Sequence, residues 1–100
     1  GREASAAPRI AVMVNVGRED GVRPGDLVGA LTHEGGLVGA EIGRIDILGR
    51  MSVAEVPADR VADLFDAMAN ATIRGRRVQM REARDWQFRA PARGAPMMAR

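Results

Sequence analysis

There is no cysteine in the 100 residues. That excludes a disulfide framework and any thiolate metal site, and it is the composition expected of a cytoplasmic protein. No apolar run approaches the ~18 residues that a membrane span requires, and no signal peptide is visible, so no membrane partner is expected. Lysine is absent too. Arginine carries all the basic charge, which genome composition explains as readily as selection for guanidinium chemistry. Histidine occurs once, His33 beside Glu34. One histidine builds no metal site, and no serine or cysteine is placed to use it as a base; it reads as a solvated helix-end residue. No cofactor is expected.

What is present describes one small domain. Apolar residues make up 46% of the chain, ordinary for a globular protein and too many for a disordered one. The length lies near the lower end of what folds without metal or disulfide support. Residues 1–8 are low in complexity and lack an initiator methionine, and they read as a linker from a longer protein, with Gly1 a cloning scar. Charge is unevenly spread. Residues 1–70 hold seven arginines against eleven carboxylates, whereas residues 71–100 hold eight against two. A formal net charge of +2 therefore hides a basic final third, which suggests a polyanionic partner or a solvated basic tail.

The apolar pattern orders the elements. Ile10 to Val16 is rich in β-branched residues and reads as a buried strand. A charged loop follows, and Pro24 with Asp26 suits the first turn of a helix that buries Leu27, Val28 and Leu31 and ends at Gly35-Gly36. Gly43 to Leu48 alternates with a period of two; Gly49-Arg50 turns the chain, and Met51 to Val56 returns as the second arm of a hairpin. Val61, Leu64, Phe65 and Met68 recur at helical spacing, with Asn70 a suitable end. Thr72-Ile73, a turn at Arg74-Gly75, and a last strand over 76–81 complete the order β-α-β-β-α-β. The natural closure is α+β: a four-stranded antiparallel sheet with both helices on one face. The domain is expected over residues 9–82, and residues 83–100 read as a basic, mobile tail.

Two motifs then carry a resemblance. Gly17-Arg18 with the run from Gly21 to Leu31 (GVRPGDLVGAL), and Ile42 to Ile47 (IGRIDI), resemble the DbpA-like RNA-binding domain, an RRM-like fold at the C-terminus of bacterial DEAD-box ATP-dependent RNA helicases. The stretch from Asn70 to Val78 is similar to the helix-to-last-strand segment of such domains. The resemblance covers residues 9–82. It implies an RNA-binding module, without catalytic chemistry of its own, that tethers an ATP-driven helicase core to structured RNA, in some members a ribosomal RNA hairpin. The partners implied are RNA and that core, and the process is ribosome biogenesis. Neither a phosphate-binding glycine-rich loop ending in Lys-Ser or Lys-Thr nor an Asp-Glu-Ala-Asp run occurs in this chain.

Where RRMs carry base-stacking aromatics on their central strands, this sequence places Met13, Met51 and Val53. Stacking on an aromatic ring contributes about 1–3 kcal/mol per base, and methionine supplies less. Strand alternation sends Val12, Val14, Ile45, Ile47, Val78 and Met80 toward the helices. The open face is then expected to show Asn15, Arg44, Asp46, Arg77, Gln79 and Arg81 around a methionine patch. Arg74, Arg76 and Arg77 crowd one turn and are expected to repel each other unless an anion is near. Arg18 and Arg50 lie in loops that can join the same surface, although Glu19-Asp20 opposes Arg18. The RNA-binding set is thus Asn15, Arg18, Arg44, Arg50, Arg74, Arg76, Arg77, Gln79 and Arg81, acting through arginine–phosphate pairing. Trp86 and Phe88 can stack on bases, as aromatics among arginines do, or pack back over Met13 and Met51. Packing is the favoured reading, because free aromatics expose apolar area, and the tail would then regulate access to the sheet. Asp59, Asp63 and Asp66 form a solvated stripe. The competing reading is a protein-interaction or self-association module that uses the patch of Met13, Met51 and Val53.

Overall fold

Alternating apolar residues in short strands and two amphipathic helices leave one economical arrangement, and the computed structural model of residues 3–89 has it. Strands β1 (Arg9–Val14), β2 (Ile45–Ile47), β3 (Ser52–Pro57) and β6 (Met80–Glu82) form an antiparallel sheet in the order β2-β3-β1-β6. Helices α1 (Pro24–His33) and α2 (Val61–Met68) complete an RRM-like fold. Strands β4 (Thr72–Ile73) and β5 (Arg76–Arg77) make a separate two-stranded hairpin. The expected tail beyond residue 89 lies outside the described residues.

The core lies between the helices and one sheet face. Val12, Val14, Ala54 and Val56 meet Leu27, Leu31, Leu64 and Met68, with Ile45, Ile47 and Phe65 packed at the margin. Each fully buried side chain of this size contributes about 1.5–3 kcal/mol. The helical stripes are those the periodicity picks out, except that Ala30 is buried and Val28 only half-buried. Gly17 lets β1 leave the sheet beside the β2–β3 turn, where an added Cβ would stand 2.6 Å from Met51 N and 2.8 Å from Gly49 O. Only glycine fits that approach.

Two segments depart from the sequence reading. The single last strand expected over 76–81 is broken. Arg74 (φ 52) and Gly75 (φ 79) both adopt the left-handed conformation, which is the backbone of a two-residue hairpin turn. It folds Arg76 back on Ile73 before the chain reaches the main sheet. Val78 then turns inward, 3% exposed, and only Met80 to Glu82 pair with β1. Residues 3–8, read as a linker, are tied to the domain. The Ser5 backbone N–H donates to Glu41 Oε2 at 2.9 Å, the Ser5 hydroxyl donates to Asp59 at 2.7 Å, and the Ala58 N–H donates to Pro8 O at 2.8 Å.

Candidate nucleic-acid interface

The sheet's second face is built in rows across the strands. Asp46, Val53, Met13 and Arg81 stand opposite one another in register on β2, β3, β1 and β6. At one side of this row lie Leu48 and Met51, whose backbones are bonded at 2.8 Å, and Asn15 with Gln79, bonded at 3.2 Å. At the other lie Arg44 beside Glu55, and Ala11 beside Ala83. Such a row is what period-two alternation produces, and it brings residues from four distant segments onto one surface.

Half of that face is covered by the chain itself. Trp86 and Phe88 pack on a cluster of Ala11, Leu48 and Val53, together with Met13, Met51 and Ala83. The Ala83 N–H donates to Ala11 O at 2.9 Å, and the Trp86 indole N–H donates to Asp46 Oδ2 at 3.0 Å. The Arg89 backbone N–H reaches the same oxygen at 3.0 Å. Asp46 is 8% exposed and Val53 fully buried as a result. The methionine patch that suggested a protein partner is thus packed against the chain's own aromatics.

The uncovered half has a different character. Met13, Asn15, Gln79, Met80 and Arg81 line a hollow of about 170 Å³. The Arg81 guanidinium donates to the Met13 sulfur at 3.2 Å, so a cation sits at the rim of a polarizable floor. A second hollow of about 370 Å³ shares Asn15 and adds Glu19, Asp20, Arg50 and Arg76. Five of the nine expected residues, Asn15, Arg50, Arg76, Gln79 and Arg81, therefore converge on one end of the sheet. Arg44 stands apart, on the side of Trp86 and Phe88.

The arginines divide by partner. Arg74 Nη2 lies 3.1 Å from Asp26, Arg76 Nη1 lies 3.1 Å from Asp20, and Arg50 Nε lies 3.4 Å from Glu19. The mutual repulsion expected of the Arg74-to-Arg77 turn is relieved by these carboxylates. Arg77 is on β5 and not on the sheet's open face; its guanidinium donates to Asn70 Oδ1 at 2.8 Å. Arg18 donates to Ile47 O at 3.2 Å. Among the described residues, the side chains of Arg18, Arg44, Arg77 and Arg81 pair with no carboxylate. No carboxylate offsets the charge of these four, which leaves them available to an anion.

Asn15 has a positioning task. Its Oδ1 accepts the Gln79 N–H at 2.7 Å and its Nδ2 donates to Arg77 O at 3.2 Å. The side chain thereby pins the link between β5 and β6 and orients Gln79 and Arg81 above the hollow. His33 ends α1 and is exposed, and Asp59, Asp63 and Asp66 are exposed as the sequence suggests.

Sequence reasoning passes over Glu41. It is completely buried, accepts the Val38 and Ser5 N–H groups at 2.9 Å each, and pairs with Arg60 at 3.0 Å. No local signal marks it, since the charges that stabilise it come from remote segments. It is a scaffold residue away from the sheet's open face. No helix among the described residues is long and apolar enough to cross a membrane.

Residues 11–82 match the family described as DbpA RNA binding domain. The chain is 32% identical over 72 residues to the ATP-dependent RNA helicase DeaD of Buchnera aphidicola subsp. Acyrthosiphon pisum (strain APS). It is 28% identical over 72 residues to the protein of that name from Buchnera aphidicola subsp. Schizaphis graminum (strain Sg). Each match takes in 72% of this chain and 12% of the relative, so the chain spans a small part of the curated relatives' length.

Proposed function

The chain belongs to the DbpA RNA-binding domain family, and on that footing we propose that it anchors an ATP-dependent helicase core to structured RNA. The domain supplies binding, and catalysis resides in the core. Ribosomal RNA is the proposed class of target, reached in the cytoplasm, with ribosome biogenesis the process served. The observation that carries this reading is the hollow at the end of the sheet, where Arg81 has no carboxylate partner and lies over Met13 beside Asn15 and Gln79. A guanidinium there can take a phosphate bidentately, while the methionine surface accepts a ribose or base face. Arg18 and Arg77 extend the positive surface. With no aromatic ring on the strands, affinity comes from phosphate pairing and RNA shape more than from base identity.

The test compares two arginines with different partners. In a titration of labelled hairpin RNA, Arg81→Ala weakens binding about tenfold and lowers the salt slope by about one. Arg74→Ala, which removes a charge already neutralised by Asp26, changes affinity less than about threefold. A larger loss at Arg74 than at Arg81 would place the RNA on the turn and refute the assignment.

A further inference from the structure

The segment that covers the sheet carries its own candidate site. Beside Trp86 and Phe88 lies a hollow of about 370 Å³ whose wall includes Arg9, Arg44 and Arg84, with Glu55 its one acid. Three guanidinium groups against one carboxylate make it positive. Arg84 leans on Glu82 at 2.7 Å and Arg9 donates to the Glu41 and Ala40 carbonyls at 3.1 and 2.8 Å. Arg44 is exposed and its side chain has no such partner. The indole is held in place through its N–H on Asp46 at 3.0 Å, and both Trp86 and Phe88 remain half-exposed. A fixed aromatic surface beside an unpaired guanidinium is the chemistry that holds a single-stranded nucleotide, by base stacking and a phosphate contact.

We propose that this hollow is a second RNA subsite, which takes a nucleotide of an unpaired strand with its base against Trp86 and Phe88 and its phosphate on Arg44. The inference rests on the chain being an RNA-binding domain but not on the Arg81 hollow. In this arrangement the aromatic rings missing from β1 and β3 are supplied by residues that follow β6. The covering segment is then part of the binding surface and not a lid over it. Structured RNA engages the Arg81 end, and an unpaired flank runs to the Trp86 end.

Trp86 is the chain's single tryptophan, so its emission reports on this hollow alone. Titration with a short unstructured oligoribonucleotide is expected to quench Trp86 without a red shift. Arg44→Ala, at an exposed position that leaves the fold intact, is expected to weaken that titration about tenfold. Trp86→Leu should weaken it similarly, read with a labelled oligonucleotide. A red shift on binding would mean that the segment is displaced from the sheet, which overturns the proposal. Hairpin binding by anisotropy with Trp86 emission unchanged by either RNA also overturns it, while leaving the Arg81 assignment standing. Quenching by the oligonucleotide with no hairpin binding would have the opposite meaning: this subsite stands and the tether reading falls.

Discussion

Asp26 Oδ2 receives the Arg23 backbone N–H at 2.8 Å and the Arg74 guanidinium at 3.1 Å, at the first turn of α1. The Arg23 N–H foremost, with Arg74 adding hydrogen bonding and charge, holds the Asp26 carboxyl below its ordinary value of 3.8. A carboxylate with a depressed folded pKa stabilises fully above the unfolded value, and that contribution is lost as pH falls through the folded one. Thermal unfolding of the native chain and of Asp26→Asn should therefore differ near neutral pH, with the gap closing below pH ~4. A gap of constant size would show that the carboxylate charge is not what links α1 to the hairpin. Arg74 pays for this link by holding a left-handed φ of 52, unusual for a residue with a side chain. That three arginines share one turn is visible in the sequence. That two of them are neutralised by carboxylates 48 and 56 residues away is not, because nothing local predicts which remote acid will face a given loop.

Between β5 and β6 the legible pattern and the folded one separate. Alternation correctly sends Val78 and Met80 inward, because burial follows side-chain type. The turn expected at Arg74-Gly75 pairs Arg76 and Arg77 with β4, and the strand breaks after them, at Val78 and Gln79, whose N–H groups turn to Ala71 O and Asn15 Oδ1. The main helices, the β2–β3 hairpin and the sheet were legible for the opposite reason: each buries a stripe whose period is written in adjacent residues. The segment after β6 has no period, so its position over Ala11, Leu48 and Val53 follows only from the apolar demand of two rings. Asn15 makes the β5–β6 junction testable. Asn15→Ala removes the bonds to Gln79 N–H and Arg77 O, and should lower stability by about 1 kcal/mol. Amide exchange should quicken at Gln79 and through Met80–Glu82, with β1–β3 protection lowered no more than the global loss requires. Equal acceleration across all four strands would contradict a local latch.

At the scale of the whole molecule, a net charge of only +2 conceals a sorted surface. Acids neutralise the hairpin turn and line the outside of α2, while Arg44 and Arg81 stand uncompensated on the sheet face. The fold and the family were both legible from the strand and helix pattern with two glycine-rich motifs; the candidate arginines could be named from the sequence, but not that Arg44 stands apart from Arg81. Their division into paired and unpaired groups was legible only once the chain was folded. The proposed RNA anchor rests on that division: electrostatic affinity, with shape selectivity set by where the unpaired groups stand. The most direct measurement is titration of this chain against a labelled hairpin RNA and an unstructured strand of equal length, at low and physiological salt. Preference for the hairpin at both concentrations, with affinity falling steeply as salt rises, is the predicted result. Equal affinity for the two RNAs, or binding indifferent to salt, would contradict a structured-RNA anchor built on unpaired arginines.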